Sequence, residues 1–178
     1  MTCYSSSCNK QPTKVVLPLE AFVTDFSHEN PNYNNNELTR NIGDSIFKCK
    51  FIATLDTINL LDDIPMTLIR VSKNSGKYMA HFSADLKSLD YNKYRNTNAL
   101  RFLHLDVVTE ISKEEVEFLK ESKNYYIHPK FISTIPTIKL FTYILGDKTL
   151  VWSNEFSYSN GDINLGMMLV DSDSIKQL

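Results

Sequence analysis

Glycine and proline are scarce in this chain, five and six in 178 residues, and tryptophan occurs once. No glycines are arranged as GxGxxG or as a Walker-type GxxxxGKS/T, so the loops that cradle nucleotide phosphates are excluded. Cysteine occurs three times, at Cys3, Cys8 and Cys49. An odd count without zinc spacing argues against a disulfide framework and for a reducing compartment. The four histidines, His28, His81, His104 and His128, form no HExxH, and no serine sits in GxSxG. No apolar run approaches the roughly 18 residues of a membrane span, and MTCYSSSCNKQPTK has no apolar signal-peptide core. These absences lead to an expectation of a non-enzymatic, cytosolic chain with no cofactor, no metal and no transmembrane segment.

What is present fits one globular domain. Hydrophobic residues make up 42%, charged residues 22% and aromatics 11%, nearly all Phe and Tyr, a mixture suited to half-buried strands. The net charge is only −2, so the chain as a whole is no polycation for nucleic acid. Residues 46–130 hold thirteen basic and eleven acidic side chains and are the only segment with a positive balance.

Along the chain, residues 1–45 read as a flexible N-terminal arm. It is rich in Asn and carries a short apolar anchor from Val15 to Phe26, in which Pro18 rules out a central strand. Residues 46–178 read as the folded domain. IFKCKFIATLDTI alternates as a strand with Phe47, Cys49, Phe51, Ala53 and Leu55 on its apolar face and Lys48 and Lys50 on the other. MTLIRV and YMAHF flank a hairpin turn at Asn74, Ser75 and Gly76. SADLKSLDYNKY suits a short helix capped by Ser83, with Leu86 and Leu89 inward. LRFLHLDVV is a further strand. Ser112 and Glu115 form a capping box that opens a helix over KEEVEFLKESK. TIKLFTYIL and TLVWS flank a second hairpin turn at Gly146 and Asp147, INLGMMLV is a last strand, and DSDSIKQL is an acidic tail. The expected fold is α+β, a mainly antiparallel sheet with two or three helices packed on it.

Candidate chemistry is sparse. Asp62 and Asp63 suit a solvated turn, and Cys49 suits a small buried hydrophobe. His81 and His104, each on a strand, form an enzyme site only if one of them meets a carboxylate in a deep cleft. The binding signal is a basic stretch with interleaved aromatics, Lys87, Tyr91, Lys93, Tyr94, Arg95 and Arg101, suited to stacking on bases or resting on anionic headgroups.

The order IKLFTYIL, GDKTL, VWSNEFSYS and LGMMLV resembles the C-terminal part of rhabdovirus matrix proteins, with FKCKFIATLDTI and LRFLHLDVV resembling earlier strands of that family. The small chain is similar in size to the matrix proteins of plant-infecting, cytorhabdovirus-like members. The resemblance implies a viral structural protein of the virion and host cytoplasm, peripherally membrane-associated, that self-associates, condenses the nucleocapsid and links it to the membrane. It implies self-association through Val15, Val16, Leu17, Trp152 and Phe156, and contact with nucleocapsid, RNA or an anionic membrane surface through the basic-aromatic stretch. Two departures stand beside it: the arm is acidic on balance, and PPxY and PTAP budding motifs are absent. The alternative function is a single-stranded RNA-binding or movement factor of a plant virus.

Overall fold

The computed structural model describes residues 14–33, 35–55, 57–74, 76–90, 93–94, 98–100, 102–134, 157–159 and 162–178. Among them run helix α1 (Pro18–Glu29), helix α2 (Glu37–Leu55), strands β1 (Pro65–Asn74), β2 (Lys77–Ala84) and β3 (Phe102–Ile111), helix α3 (Lys113–Phe118), and strands β4 (Asn124–Thr134), β5 (Ser157–Ser159) and β6 (Asp162–Gln177). The sheet order is β3-β2-β1-β4-β6-β5, and a parallel β3–β6 pairing closes β1, β2, β3, β6 and β4 into a five-stranded mixed barrel. This corrects the expected mainly antiparallel sheet with two or three helices packed on it. Short turns imply antiparallel neighbours, but the closing pair joins strands about fifty residues apart, and no local signal encodes it.

Closure requires β6 to change partners along its length. Its first half runs beside β3 and β5, and its second half beside β4. A register shift facing His104 and Leu105 comes at Gly166, whose φ of 63° suits a residue without a β-carbon; the Gly166 N–H donates to Asn164 Oδ1 at 2.9 Å. The expected acidic tail, DSDSIKQL, is the second half of β6, paired from Ser172 to Gln177 with β4. Sequence reading assigned no element to β4, where Pro129 interrupts the ladder; a register shift between His128 and Pro129 accommodates it.

The segment read as a strand from Ile46 is helical, and the boundary at residue 46 falls inside α2. Phe47 and Phe51 stand one helical turn apart and are fully buried, with Gly43 a turn before them, whereas Cys49 and Ala53 are exposed. Cys49 is therefore a surface thiol and not a core residue. The apolar anchor is helical too: Pro18 occupies the first turn, where its missing N–H costs nothing, and Leu19, Val23 and Phe26 face inward. Rings of the two helices interlock, Phe26 with Phe47 at 4.9 Å and Phe22 with Phe47 at 5.5 Å between centroids. Both helices share one hydrophobic cluster with the barrel residues Leu68, Phe82, Val107, Ile127 and Met168. The Val15–Phe26 segment thus docks on its own domain.

The β1–β2 hairpin turns through Gly76 at φ 87°. The capping box forms as expected: Glu115 N–H donates to Ser112 Oγ at 3.1 Å, and Ser112 N–H donates to Glu115 Oε2 at 2.7 Å. The helix it opens stops at Phe118, short of the expected Lys123. Ser122, with φ 62°, donates its N–H to the Leu68 carbonyl at 2.8 Å, so pairing with β1 replaces another helical turn. The helix expected around Leu86 is a single 3-10 turn, Leu86–Ser88, capped by Asp85 and not by Ser83. The second hairpin expected at Gly146 and Asp147 lies outside the described residues.

Candidate nucleic-acid interface

The basic-aromatic stretch is divided by the fold. Lys87 is exposed on the 3-10 turn, Lys93 is exposed, and Tyr94 is buried to 1% in the core, out of reach of any base. Tyr91, Arg95 and Arg101 lie outside the described residues. Of the proposed self-association residues, Val15 is exposed, Val16 half-buried and Leu17 fully buried in the chain's own core, while Trp152 and Phe156 lie outside the described residues. Val15 is tied to the basic stretch, its N–H donating to the Lys93 carbonyl at 3.0 Å.

Lys93 stays half exposed beside one carboxylate. Its Nζ stands 4.6 Å from the Tyr94 ring centroid and 3.5 Å from Asp63 Oδ2. The Tyr94 hydroxyl first, with Asp63 adding to it against partial burial, holds the ammonium above its ordinary range. On the neighbouring strand, His128 Nδ1 lies 2.8 Å from Asp62 Oδ1. Burial pushes the Asp62 carboxyl up, opposed by His128 and reinforced by Asp63. Burial, with Asp63 adding to it, likewise raises Tyr126. Asp62 and Asp63 lie in a partly exposed turn, as expected, where each faces one basic side chain of another segment. The exposed Lys93–Asp63 pair is weak, and what removes this stretch as a stacking platform is the burial of Tyr94.

The barrel presents cations elsewhere. From Ile64 to Ala84 the chain contains no Asp or Glu, yet holds Arg70, Lys73 and Lys77. That span is the β1–β2 hairpin. Arg70 and Lys73 are exposed, and Lys73 Nζ stacks 4.8 Å from the Tyr78 centroid. Lys77 pairs with Glu110 of β3 at 2.6 Å, with both side chains more than half exposed, so the pair is weak and open to competition. Sequence reading found the hairpin but passed over its charge; the signal was its freedom from acids. Lys48 and Lys50, expected on a strand face, ride on α2, where Lys50 pairs with Glu29.

Beside Arg70 across the hairpin lies His81, and His81 Nε2 is 3.2 Å from Asp106 Oδ1 on β3. Both side chains are sealed, at 8% and 10% exposure, on the outward face of the barrel. His104 is exposed. Among the described residues, no three His, Cys, Asp or Glu side chains converge as a metal site, and no helix is long and apolar enough to cross a membrane.

The fold and this surface define a class: a small closed mixed barrel, sealed by two helices, with a cationic hairpin at its rim. No family model, curated protein or solved structure matches the chain.

Proposed function

We propose that this chain is a single-stranded nucleic-acid-binding barrel whose β1–β2 hairpin meets the phosphate backbone through Arg70, Lys73 and Lys77. The observation that carries this reading is a hairpin with no acid of its own on a closed five-stranded barrel, with Glu121 beside Val71 and Glu110 beside Lys77 as its acidic neighbours. Strand number, the parallel closing pair and a helix between β3 and β4 resemble the OB-type barrel. Such barrels bind oligonucleotides with the β1–β2 loop and the β2–β3 face. That likeness is an analogy of architecture, and the residues must carry the chemistry. Here the cations meet phosphates.

The test is fluorescence anisotropy of a labelled single-stranded RNA over a range of salt. Binding is expected to weaken with salt by about 0.7 log units per log unit for each phosphate contact. Replacing Arg70, Lys73 and Lys77 together with Ala should flatten that slope by about two. Absence of binding at low salt, or an unchanged slope in the triple variant, overturns the reading. Anionic vesicles form the second arm. The alternative reading is a matrix-like structural role, joining nucleocapsid to an anionic membrane surface peripherally. Vesicle binding through the same three cations with no affinity for RNA would favour it.

A further inference from the structure

Two acids border the cationic hairpin, one on each side. Glu110 of β3 reaches Lys77 from the β2 side at 2.6 Å. Glu121, between α3 and β4, reaches β1, where its Oε1 accepts the Val71 N–H at 3.3 Å. The backbone explains why that N–H is open to a side chain. β1 pairs with β4 from Pro65 to Thr67. Leu68 then donates its N–H to the Lys123 carbonyl at 2.9 Å and accepts from the Ser122 N–H at 2.8 Å. A strand turns every second N–H to the same edge, which would bring Arg70 round next. The register shift between Leu68 and Arg70 inserts one residue, so Val71 turns there in its place. By that point the described ladder with β4 has ended, and a carboxylate stands where a strand carbonyl would.

Both positions have the chemistry of an anion site. Lys77 offers an exposed ammonium, and the Val71 N–H is flanked in sequence by the exposed Arg70 and Lys73. Cations and backbone N–H groups are what hold phosphate oxygens in nucleic-acid complexes. In the free chain a carboxylate oxygen fills each position, and neither is held firmly. An exposed ion pair is worth little, and 3.3 Å is long for an N–H to oxygen bond. We infer that Glu110 and Glu121 are resident stand-ins for phosphate, each holding in the free chain a position that a backbone phosphate takes in the complex. The inference rests on the hairpin reading above and adds how that site is regulated. Single-stranded nucleic acid crossing the hairpin from the β1 edge to the β3 side displaces both carboxylates. Each phosphate competes with a resident anion, so the two acids hold affinity down.

Fluorescence anisotropy of the full chain with a labelled single-stranded RNA, at one fixed salt concentration, tests it. Glu110→Gln and Glu121→Gln keep the side chain's size and remove its charge. Each is expected to tighten binding about two- to fivefold, the range that corresponds to an exposed ion pair. Glu37→Gln removes the same charge from an exposed position in the first turn of α2 and should tighten binding by less. The Val71 amide resonance of isotope-labelled chain reports the displacement itself. It should move when RNA is added to the parent, and it should move without RNA in Glu121→Gln. Gln variants that bind no more tightly than Glu37→Gln, or a Val71 amide unmoved by RNA in a parent that binds, overturn the inference and leave the hairpin reading in place. A parent and Gln variants that all fail to bind at low salt overturn the hairpin reading, and the inference with it.

Discussion

Gly43 of α2 lies against the ring of Tyr33, so close that a β-carbon on Gly43 would stand 1.9 Å from ring Cδ2. The ring has little freedom to yield. It packs edge-on to Phe26 at 5.7 Å, and its hydroxyl donates to Asp44 on the next residue of the helix. In a solvent-facing helix Gly→Ala gains up to about 1 kcal/mol. Here overpacking, typically about 1–3 kcal/mol, opposes that gain. Gly43→Ala is expected to destabilise the fold by about 1 kcal/mol in urea unfolding, and adding Tyr33→Ala should remove the clash. An alanine variant as stable as the parent would show that the ring swings aside freely.

The His81–Asp106 pair is sealed on the outer barrel face at 3.2 Å. Neither His81 Nε2 nor Asp106 Oδ1 makes an aligned hydrogen bond, so the two are held by proximity, and removing one member leaves the other dehydrated with no counter-charge. Asp106→Ala and His81→Ala should therefore each cost about 2 kcal/mol. Changing both to apolar residues of similar size should cost less than the two single changes added together. A double-mutant cycle of chemical denaturation measures this, and strict additivity would mean that the two groups do not interact.

Alkaline pH should loosen the molecule at the Asp63 corner. Burial raises the Tyr94 and Tyr126 hydroxyls, and the Tyr94 hydroxyl raises the Lys93 ammonium. In each case the folded state holds its proton more tightly than the unfolded chain. The stability this confers is complete below the ordinary values near pH 10 and is lost as pH rises through the folded ones. Thermal melts should fall steeply above about pH 10. Tyr94→Phe should flatten that fall relative to the parent, and a parallel pair of curves would remove Tyr94 from the account.

Cys49 should react in the native state. The thiol is exposed on α2, so with Cys3 and Cys8 changed to Ser it should be modified by a thiol reagent without denaturant. Modification only after unfolding would return it to the interior.

Removing the cap of α3 should have a bounded effect. Ser112→Ala breaks one half of the capping box and is expected to cost about 1 kcal/mol. Because the helix is only six residues long and exposed, the loss should show as local hydrogen exchange at Lys113 to Phe118 before global unfolding. Unchanged exchange there would mean that packing of Val116 and Leu119 alone holds the turn.

Signals that act over a few residues were legible in the chain. The β1–β2 hairpin around Gly76, the strand at LRFLHLDVV and the capping box at Ser112 each depend on neighbours within hydrogen-bonding reach, and each is in place. Helix α2 was misread because Phe47 and Phe51 satisfy periods of both two and four residues. With Cys49 and Ala53 between them, the strand pattern looked complete. Only burial, which seals Phe47 and Phe51 and exposes Cys49, separates the two. The candidate site was half legible: the basic-aromatic stretch stood out, but Tyr94 proved to be core and Lys93 a partner of Asp63.

The sequence by itself determined the β1–β2 turn and where α3 begins. Those choices are settled by backbone sterics, caps and apolar spacing within a few residues. The tertiary structure alone decided that the strands close into a barrel through β3 and β6, and that the N-terminal apolar segment is a helix sealed into the same core. The reason is physical. A parallel pairing between distant strands, and the choice between two apolar faces of one helix, are fixed by the burial of whole surfaces against each other, and no window of local sequence contains both surfaces.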